Sequence, residues 1–240
     1  MSDTPGTEPS SDWQPPDATR DTERVQQQVA RAGATNGGTG TGDLFAEPVL
    51  VVNQKVKLIE LTNEYKVFDQ HGAEIGSVAQ VGQTTLKKVA RFVSSLDQFM
   101  THHYEIRDAQ HQPRLVLTRP RKIMKSRFQI TRPDGSTVGE ITQRNMIGKI
   151  RFGLSANGTD VGSLNAENWR AWNFNIQDAS GTEVARITKT WEGLAKTMFT
   201  TADNYVVQIH RPLEEPLRSL VIAAALCVDT ALKQDNRGLG

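Results

Sequence analysis

Residues 216–234 read PLRSLVIAAALCVDTALKQ, and the fold turns on where that stretch goes. Pro216 suits the first position of a helix, and Glu214 and Glu215 sit where the positive end of its dipole would lie. Lys233 falls in the last turn. From Leu220 to Val228 the helix is apolar on every side, so it must be surrounded. Residues 217–232 would rise roughly 24 Å at ~1.5 Å each, short of the ~30 Å hydrocarbon core of a bilayer. Arg218 and Asp229 also ride on the stretch. Burying its larger aliphatics contributes roughly 10–20 kcal/mol at about 1.5–3 each, as much as the net stability of a whole domain. That length favours a protein interior over a membrane-inserted helix.

The shelter is legible upstream as a repeat. Five segments align: YKVFDQHGAEIGSV from Tyr65, YEIRDAQHQPRLVLT from Tyr104, FQITRPDGSTVGEIT from Phe128, FGLSANGTDVGSLN from Phe152 and FNIQDASGTEVARIT from Phe174. Each opens aromatic-x-aliphatic, a period of two that puts Tyr65/Val67, Phe128/Ile130 and Phe174/Ile176 on one strand face. Turn residues follow (Gly72, Gly135, Gly158, Gly181), then a second alternating run. Strand, short Gly-containing loop and returning strand make a β-hairpin. The Tyr104 copy carries Gln112-Pro113 in place of Gly, so its turn is expected to differ.

In the long gap after the first copy, 84–96 (TTLKKVARFVSSL) spaces Leu86, Val89, Val93 and Leu96 as an amphipathic helix with Lys87, Lys88 and Arg91 facing away. Residues 48–61 read as one or two strands and 205–209 (YVVQI) as another. About a dozen antiparallel strands must pack on a second sheet or close on themselves. With an all-round apolar helix to bury, the expectation is mainly β: a closed antiparallel barrel of about twelve strands, threaded by its hydrophobic C-terminal helix. Ala223, Ala224 and Ala225 would let the wall approach it closely.

The domain reading is a tail and linker over 1–43 and the barrel over 44–240. Residues 1–43 hold seven acidic and three basic residues amid Pro, Gly, Thr and Gln, a composition that leaves a chain disordered. Val25 and Val29 mark a short helix over 21–31, too short to be stable alone; ATNGGTGTG (34–42) is a flexible linker. The tail reads as a solvated leader, the other reading being a protein-binding peptide around Trp13, Pro15 and Pro16. The first ten residues lack the pattern of a signal peptide. One cysteine, Cys227, rules out a disulfide framework, and in the central helix it is expected to be a buried, inert thiol.

The stretch KTWEGLAKTMFTTADNYVVQI (189–209), followed by the apolar helix, resembles the phospholipid scramblase family, which groups with tubby C-terminal-like barrels and the plant LURP-one-related proteins. The matching positions are Lys189, Trp191, Gly193, Phe199, Thr200, Ala202, Asp203, Asn204, Tyr205 and Gln208, and the likeness extends over roughly 49–232. It implies a twelve-stranded barrel around a hydrophobic C-terminal helix, which the residue-level reading reaches independently. It also implies ATP-independent, bidirectional movement of phospholipid between leaflets, promoted by calcium. Two family features depart here. The family's palmitoylation cluster would fall at 119–127 (RPRKIMKSR), which has no cysteine. The family's calcium loop would start at Thr201, where an EF-hand-like frame puts ligand positions on Thr201, Asp203, Tyr205, Ile209 and Pro212, with Val206 for the glycine. Only Thr201 and Asp203 could ligate by side chain, so neither cofactor nor metal is expected, and Asp203-Asn204 reads as a turn before the last strand.

Elementary chemistry narrows the activity. His102 and His103 are adjacent on a strand and face opposite ways, and no HExxH, GxSxG or GxxxxGK pattern occurs, so an enzyme is not expected. A net charge of +1 excludes a globally basic, nucleic-acid-type protein, yet 114–151 carries ten basic residues against two acidic. Its densest part, Arg119, Arg121, Lys122, Lys125 and Arg127, is the candidate surface for an anionic phospholipid or membrane, against the plainer reading of a solvated charged face. Few aromatics accompany it, which disfavours nucleic acid. Trp172 and Phe174 are expected in the core. The functional expectation is a scramblase-like protein that binds anionic phospholipid peripherally, cytoplasmic and at the inner face of the plasma membrane. The alternative is a tubby-like phospholipid- or protein-binding module that transports nothing.

Overall fold

The computed structural model describes residues 18–34, 40–54, 64–81, 101–120, 126–145, 149–168, 173–190 and 204–235, as backbone alone at 18–21, 54, 64, 168 and 227–235. The inserted helix expected over 84–96 lies outside them, as do Trp13, Trp169, Trp172 and Trp191 and the side chain of Cys227.

Twelve strands close into one antiparallel barrel in which each strand pairs with its neighbours in sequence. They are β1 (Val49–Gln54), β2 (Glu64–Phe68), β3 (Glu74–Val81), β4 (His102–Asp108), β5 (Pro113–Arg119), β6 (Arg127–Thr131), β7 (Thr137–Gln143), β8 (Arg151–Ala156), β9 (Thr159–Asn168), β10 (Asn173–Asp178), β11 (Glu183–Lys189) and β12 (Asn204–Ile209). The five repeats are the hairpins β2–β3, β4–β5, β6–β7, β8–β9 and β10–β11. The barrel closes where β1 meets β12, with Val51 opposite Val206. Closure leaves no unpaired edge.

The repeats share more than a pattern of apolar residues. Each hairpin carries a β-bulge at the same place, so one residue of the returning strand has no partner: Ile75, Arg114, Val138, Val161 and Val184. Four of the five are apolar: Ile75, Val138 and Val184 join Leu44 and Leu213 in the main core and Val161, partly buried, packs against it, closing the hairpin end of the barrel. The fifth, Arg114, stays exposed with its guanidinium 5.3 Å from the centre of the Phe45 ring. The Tyr104 turn does not differ as expected. Asp108 N donates to Gln112 O (3.0 Å) and His111 N to Asp108 O (2.9 Å), the bonds that Asp178 makes with Thr182 and Gly181. His111 takes up the left-handed backbone (φ 60°) that Gly181 provides there. The Asp108 carboxylate accepts from Gln110 N and Gln112 N, as Asp178 does from Ser180 N and Thr182 N in the Gly181 turn, so the shared aspartate holds the loop with or without glycine.

The C-terminal helix, α2 (Leu217–Asp235), enters from the hairpin end. Leu220, Val221, Ile222, Ala223, Ala224, Ala225 and Leu226 are all at most 3 % exposed and belong to the same cluster as the inward side chains of the strands. Burial of its Leu, Val and Ile residues among them contributes about 6–12 kcal/mol at ~1.5–3 each, within the range of a domain's whole net stability. The wall makes room with glycine. A Cβ on Gly139 would lie 3.2 Å from Leu220 Cδ1, and one on Gly162 would lie 3.3 Å from Leu217 Cδ1.

Of the tail over 1–43, the short helix expected over 21–31 does form, but it is docked and not solvated; residues 1–17 and 35–39 lie outside the described residues. Residues 18–31 form α1 (Ala18–Arg31) against the outside of the barrel. Val25, Val29 and Ala34 bury against Val49, Val51, Phe68 and Val206 in a cluster separate from the main core. A helix of this length is marginal by itself. It forms because the wall offers apolar side chains on its outer as well as its inner face.

Candidate functional site

α2 fills the lumen, so the barrel offers chemistry at its two ends and on its outer wall. At the hairpin end a cleft of about 470 Å³ opens between the 45–48 loop and the 209–213 segment, lined by Phe45, Glu47, Pro48, His210, Arg211 and Arg218 among others. Glu47 is 1 % exposed. Its Oε1 accepts from Thr41 N, Thr41 Oγ1 and Gly42 N, which ties the preceding loop to the barrel. The basic side chains at the mouth each meet an acid: Arg211 with Asp178 (2.8 Å), His210 with Glu183 (3.1 Å) and Arg218 with Glu215 (3.0 Å).

Beside the cleft the outer face of β9–β11 carries a network centred on Arg186. Its guanidinium donates to Glu167 Oε2 (2.7 Å), Glu183 Oε1 (2.8 Å) and Oε2 (2.7 Å), and Asn173 Oδ1 (2.9 Å). Hydrogen bonds from Arg186 and Asn175 hold the Glu167 carboxyl below the usual range. Burial alone would raise Glu183, but bonds from Arg186 and His210 outweigh it and hold that carboxyl low as well. Carboxyls depressed in the folded state contribute stability above their unfolded pKa and lose it as pH falls through their folded pKa. Arg186→Gln is therefore expected to lower the urea midpoint at neutral pH and to converge on the parent in acid, once the pH has fallen below the depressed pKa values of both glutamates. A difference of equal size at both pH values would contradict the assignment.

At the far end, where the longer connections lie, the inward positions turn polar. Gln80, His102, Arg119 and Gln143 are buried near the ends of β3, β4, β5 and β7, with Gln80 Nε2 2.8 Å from His102 Nδ1. His103 points outward and meets Thr118 Oγ1 at 3.1 Å, so the two histidines do part as expected. Among the described residues no group of three His, Cys, Asp or Glu could hold a metal ion.

The basic segment is not one continuous surface. Arg119 is 2 % exposed and shares the inward face of β5 with Leu115 and Leu117, opposite His102 in register. Its place among residues that could meet a lipid surface is thus corrected. The signal was present, because Leu115, Leu117 and Arg119 keep the same parity. Arg127 is exposed on β6 and ion-paired with Glu140. Arg121, Lys122 and Lys125 lie outside the described residues. Of the family-motif positions, Lys189 ends β11 opposite Tyr205, and Asn204 opens β12 with its carbonyl accepting from Thr190 N (3.0 Å). Trp191, Gly193, Phe199 and Asp203 lie outside the described residues. Tyr205 and Ile209, two positions of the calcium-loop frame, are in β12. Sequence reasoning missed the cleft and the Arg186 network, whose partners are far apart along the chain.

The Scramblase family model matches residues 32–232. A phospholipid scramblase family protein of Schizosaccharomyces pombe is 25 % identical over 199 residues, covering 75 % of this chain and 51 % of its own. The altered inheritance rate of mitochondria protein 25 of Saccharomyces cerevisiae is 22 % identical over 200 residues, covering 69 % and 59 %. The chain thus spans little more than half the length of these two relatives. A solved Arabidopsis thaliana protein is 12 % identical with a TM-score of 0.47, covering 80 % of this chain and 98 % of that one.

Proposed function

The chain belongs to the scramblase family, with the match covering most of its length, and on that premise we propose that it binds anionic phospholipid peripherally and assists ATP-independent, bidirectional lipid movement from outside its own wall. The observation that carries this reading is the filled lumen. With Leu220–Leu226 buried at 3 % or less, no lipid path runs through the barrel. Among the described residues no helix is long and apolar enough to cross a membrane. Lipid is therefore met at the outer surface, where Arg127, Arg132, Lys149 and Arg151 are exposed around β6–β8. The anionic cytoplasmic leaflet of the plasma membrane is the surface that such a basic region fits.

Flotation with vesicles tests the binding half. Each basic side chain near an anionic surface contributes about 1 kcal/mol. Changing Arg121, Lys122 and Lys125 together to Glu is expected to weaken binding to phosphatidylserine vesicles by roughly a hundredfold or more, at ~1.4 kcal/mol per tenfold. Unchanged flotation would reduce the segment to a solvated face. Reporter-lipid vesicles test the transport half. Acceleration of lipid exchange, with or without calcium, is expected; its absence alongside retained binding would leave a non-transporting, tubby-like lipid-binding module.

A further inference from the structure

We propose that the barrel stands on an anionic bilayer by its far end, with the hairpin end turned to the water, an inference that rests on the lipid-binding reading above. Charge is separated along the barrel axis. The six connections at the far end, 55–63, 82–101, 120–126, 144–150, 169–172 and 190–203, hold twelve basic residues against four acidic. The five hairpin turns, 69–73, 109–112, 132–136, 157–158 and 179–182, together with 40–48 and 210–216, hold two basic against six acidic. Asp108 and Asp178 add two more carboxylates where β4 and β10 end at those turns. The dipole of α2 opposes this separation, since the helix starts at the hairpin end, but by only about half a charge at each end. Residues 227–240 add two charges of each sign.

The two ends owe their charge to different causes. Carboxylates at the hairpin end hold the turns. Asp69 accepts from His71 N and Ala73 N, Asp108 from Gln110 N and Gln112 N, Asp134 from Ser136 N, and Asp178 from Ser180 N and Thr182 N. Repeating the hairpin therefore repeats the acid, and always at the same end. Hydrogen bonds from Ser136 and from Ser180 hold Asp134 and Asp178 below the usual carboxylate range, so both stay charged beside an acidic surface. The cations of the far end have no such task. Lys149 and Arg151 are exposed, and their side chains make no hydrogen bond or ion pair with the described residues. Of the cations around β6–β8, Arg127, Lys149 and Arg151 share the far end, while Arg132 sits in the β6–β7 turn with Asp134 and faces the water. Strands of about six residues, tilted as in a barrel, part the two ends by roughly 15–20 Å. The screening length is ~8 Å at physiological salt. A bilayer touching the far end is thus attracted by it and barely repelled by the other. Five of the six far-end connections hold more basic than acidic residues, and they follow one another around the barrel. A planar anionic surface reaches all of them at once.

Fluorescence quenching reads the orientation. In the full chain with Cys227 changed to Ala, a single cysteine is placed by Thr101→Cys, next to β4 at the far end, or by Gln110→Cys or Ala179→Cys in hairpin turns; all three positions are exposed. Each cysteine carries a bimane fluorophore. The vesicles are phosphatidylcholine with a quarter phosphatidylserine and a headgroup-nitroxide lipid as quencher. Quenching is expected to be strong at 101 and weak at 110 and 179. Lys149→Glu is expected to weaken vesicle binding by about fivefold or more, the effect of one basic side chain at an anionic surface. Arg114→Glu, the same charge change on an exposed residue at the hairpin end, is expected to stay within about twofold. A bound chain quenched equally at both ends, or more at 110 and 179, would overturn the orientation and leave the lipid-binding reading intact, as would equal losses in the two charge variants. Absence of vesicle binding by the parent would overturn that reading and the orientation together.

Discussion

Ile222→Asp is expected to leave little folded protein. Ile222 is fully buried on α2 at the centre of the barrel, among aliphatic and aromatic side chains from the strands. A carboxylate there has neither water nor a partner, and an unpaired buried charge belongs to the small class of substitutions that cost more than about 4–5 kcal/mol. Ile222→Val, which only removes a methylene, is expected to cost about 0.5–1.5 kcal/mol. Urea denaturation of the pair measures the contrast. The comparison also tells two homes for the helix apart. Were α2 to reside in a bilayer and leave the barrel self-sufficient, Ile222→Asp would disturb membrane association and spare the melting of the strands.

Gly139→Val is expected to be nearly as damaging, for a different reason. A Cβ at this position of β7 would lie 2.3 Å from Ser155 O on β8 and 3.2–3.3 Å from the two methyl carbons of Leu220. Neither neighbour yields cheaply: one is backbone in the ladder, the other a buried side chain of the central helix. Overpacking of this kind costs about 1–3 kcal/mol, and the displaced backbone raises the total to about 3 kcal/mol or more. For a domain of this size that lowers Tm by roughly 6–12 °C. Thr142→Val, on the outward face of the same strand, is expected to stay within about 0.5 kcal/mol. Equal melting temperatures for the two variants would show that helix and wall are not in contact there.

Much of this architecture is legible in the residues themselves. The aromatic-x-aliphatic openings of the five repeats place Phe128, Ile130, Phe174 and Ile176 inward because a strand alternates strictly. The all-round apolar character of 220–228 demands enclosure, and a chain of tight hairpins supplies it by closing. The misses have physical causes too. His111 takes the glycine conformation in a turn whose Asp108 accepts the loop amides as Asp69 and Asp178 do in the glycine turns, so the aspartate common to the repeats, and not the glycine alone, marks the turn. Charge alone groups Arg119 with its basic neighbours, but its parity with Leu115 and Leu117 turns it inward. The helix marked by Val25 and Val29 forms as α1, and what its own residues do not disclose is its docking; the sign lies in Val49, Val51 and Val206, which give β1 and β12 apolar residues on both faces, the mark of a strand covered on both sides. The Arg186 network joins β9, β10 and β11 through residues whose meeting only the barrel's register decides.

The barrel encloses α2, and that enclosure is expected to hold on the membrane as well as off it. Ala224 is 3 % exposed on that helix. With Cys227 changed to Ala and Ala224 to Cys, a water-soluble thiol reagent is applied to the native protein, alone and bound to phosphatidylserine vesicles. The enclosed helix predicts a thiol that stays unmodified in both states and reacts promptly once the protein is unfolded in urea. Prompt modification of the native protein, or protection that disappears when vesicles are added, would contradict it.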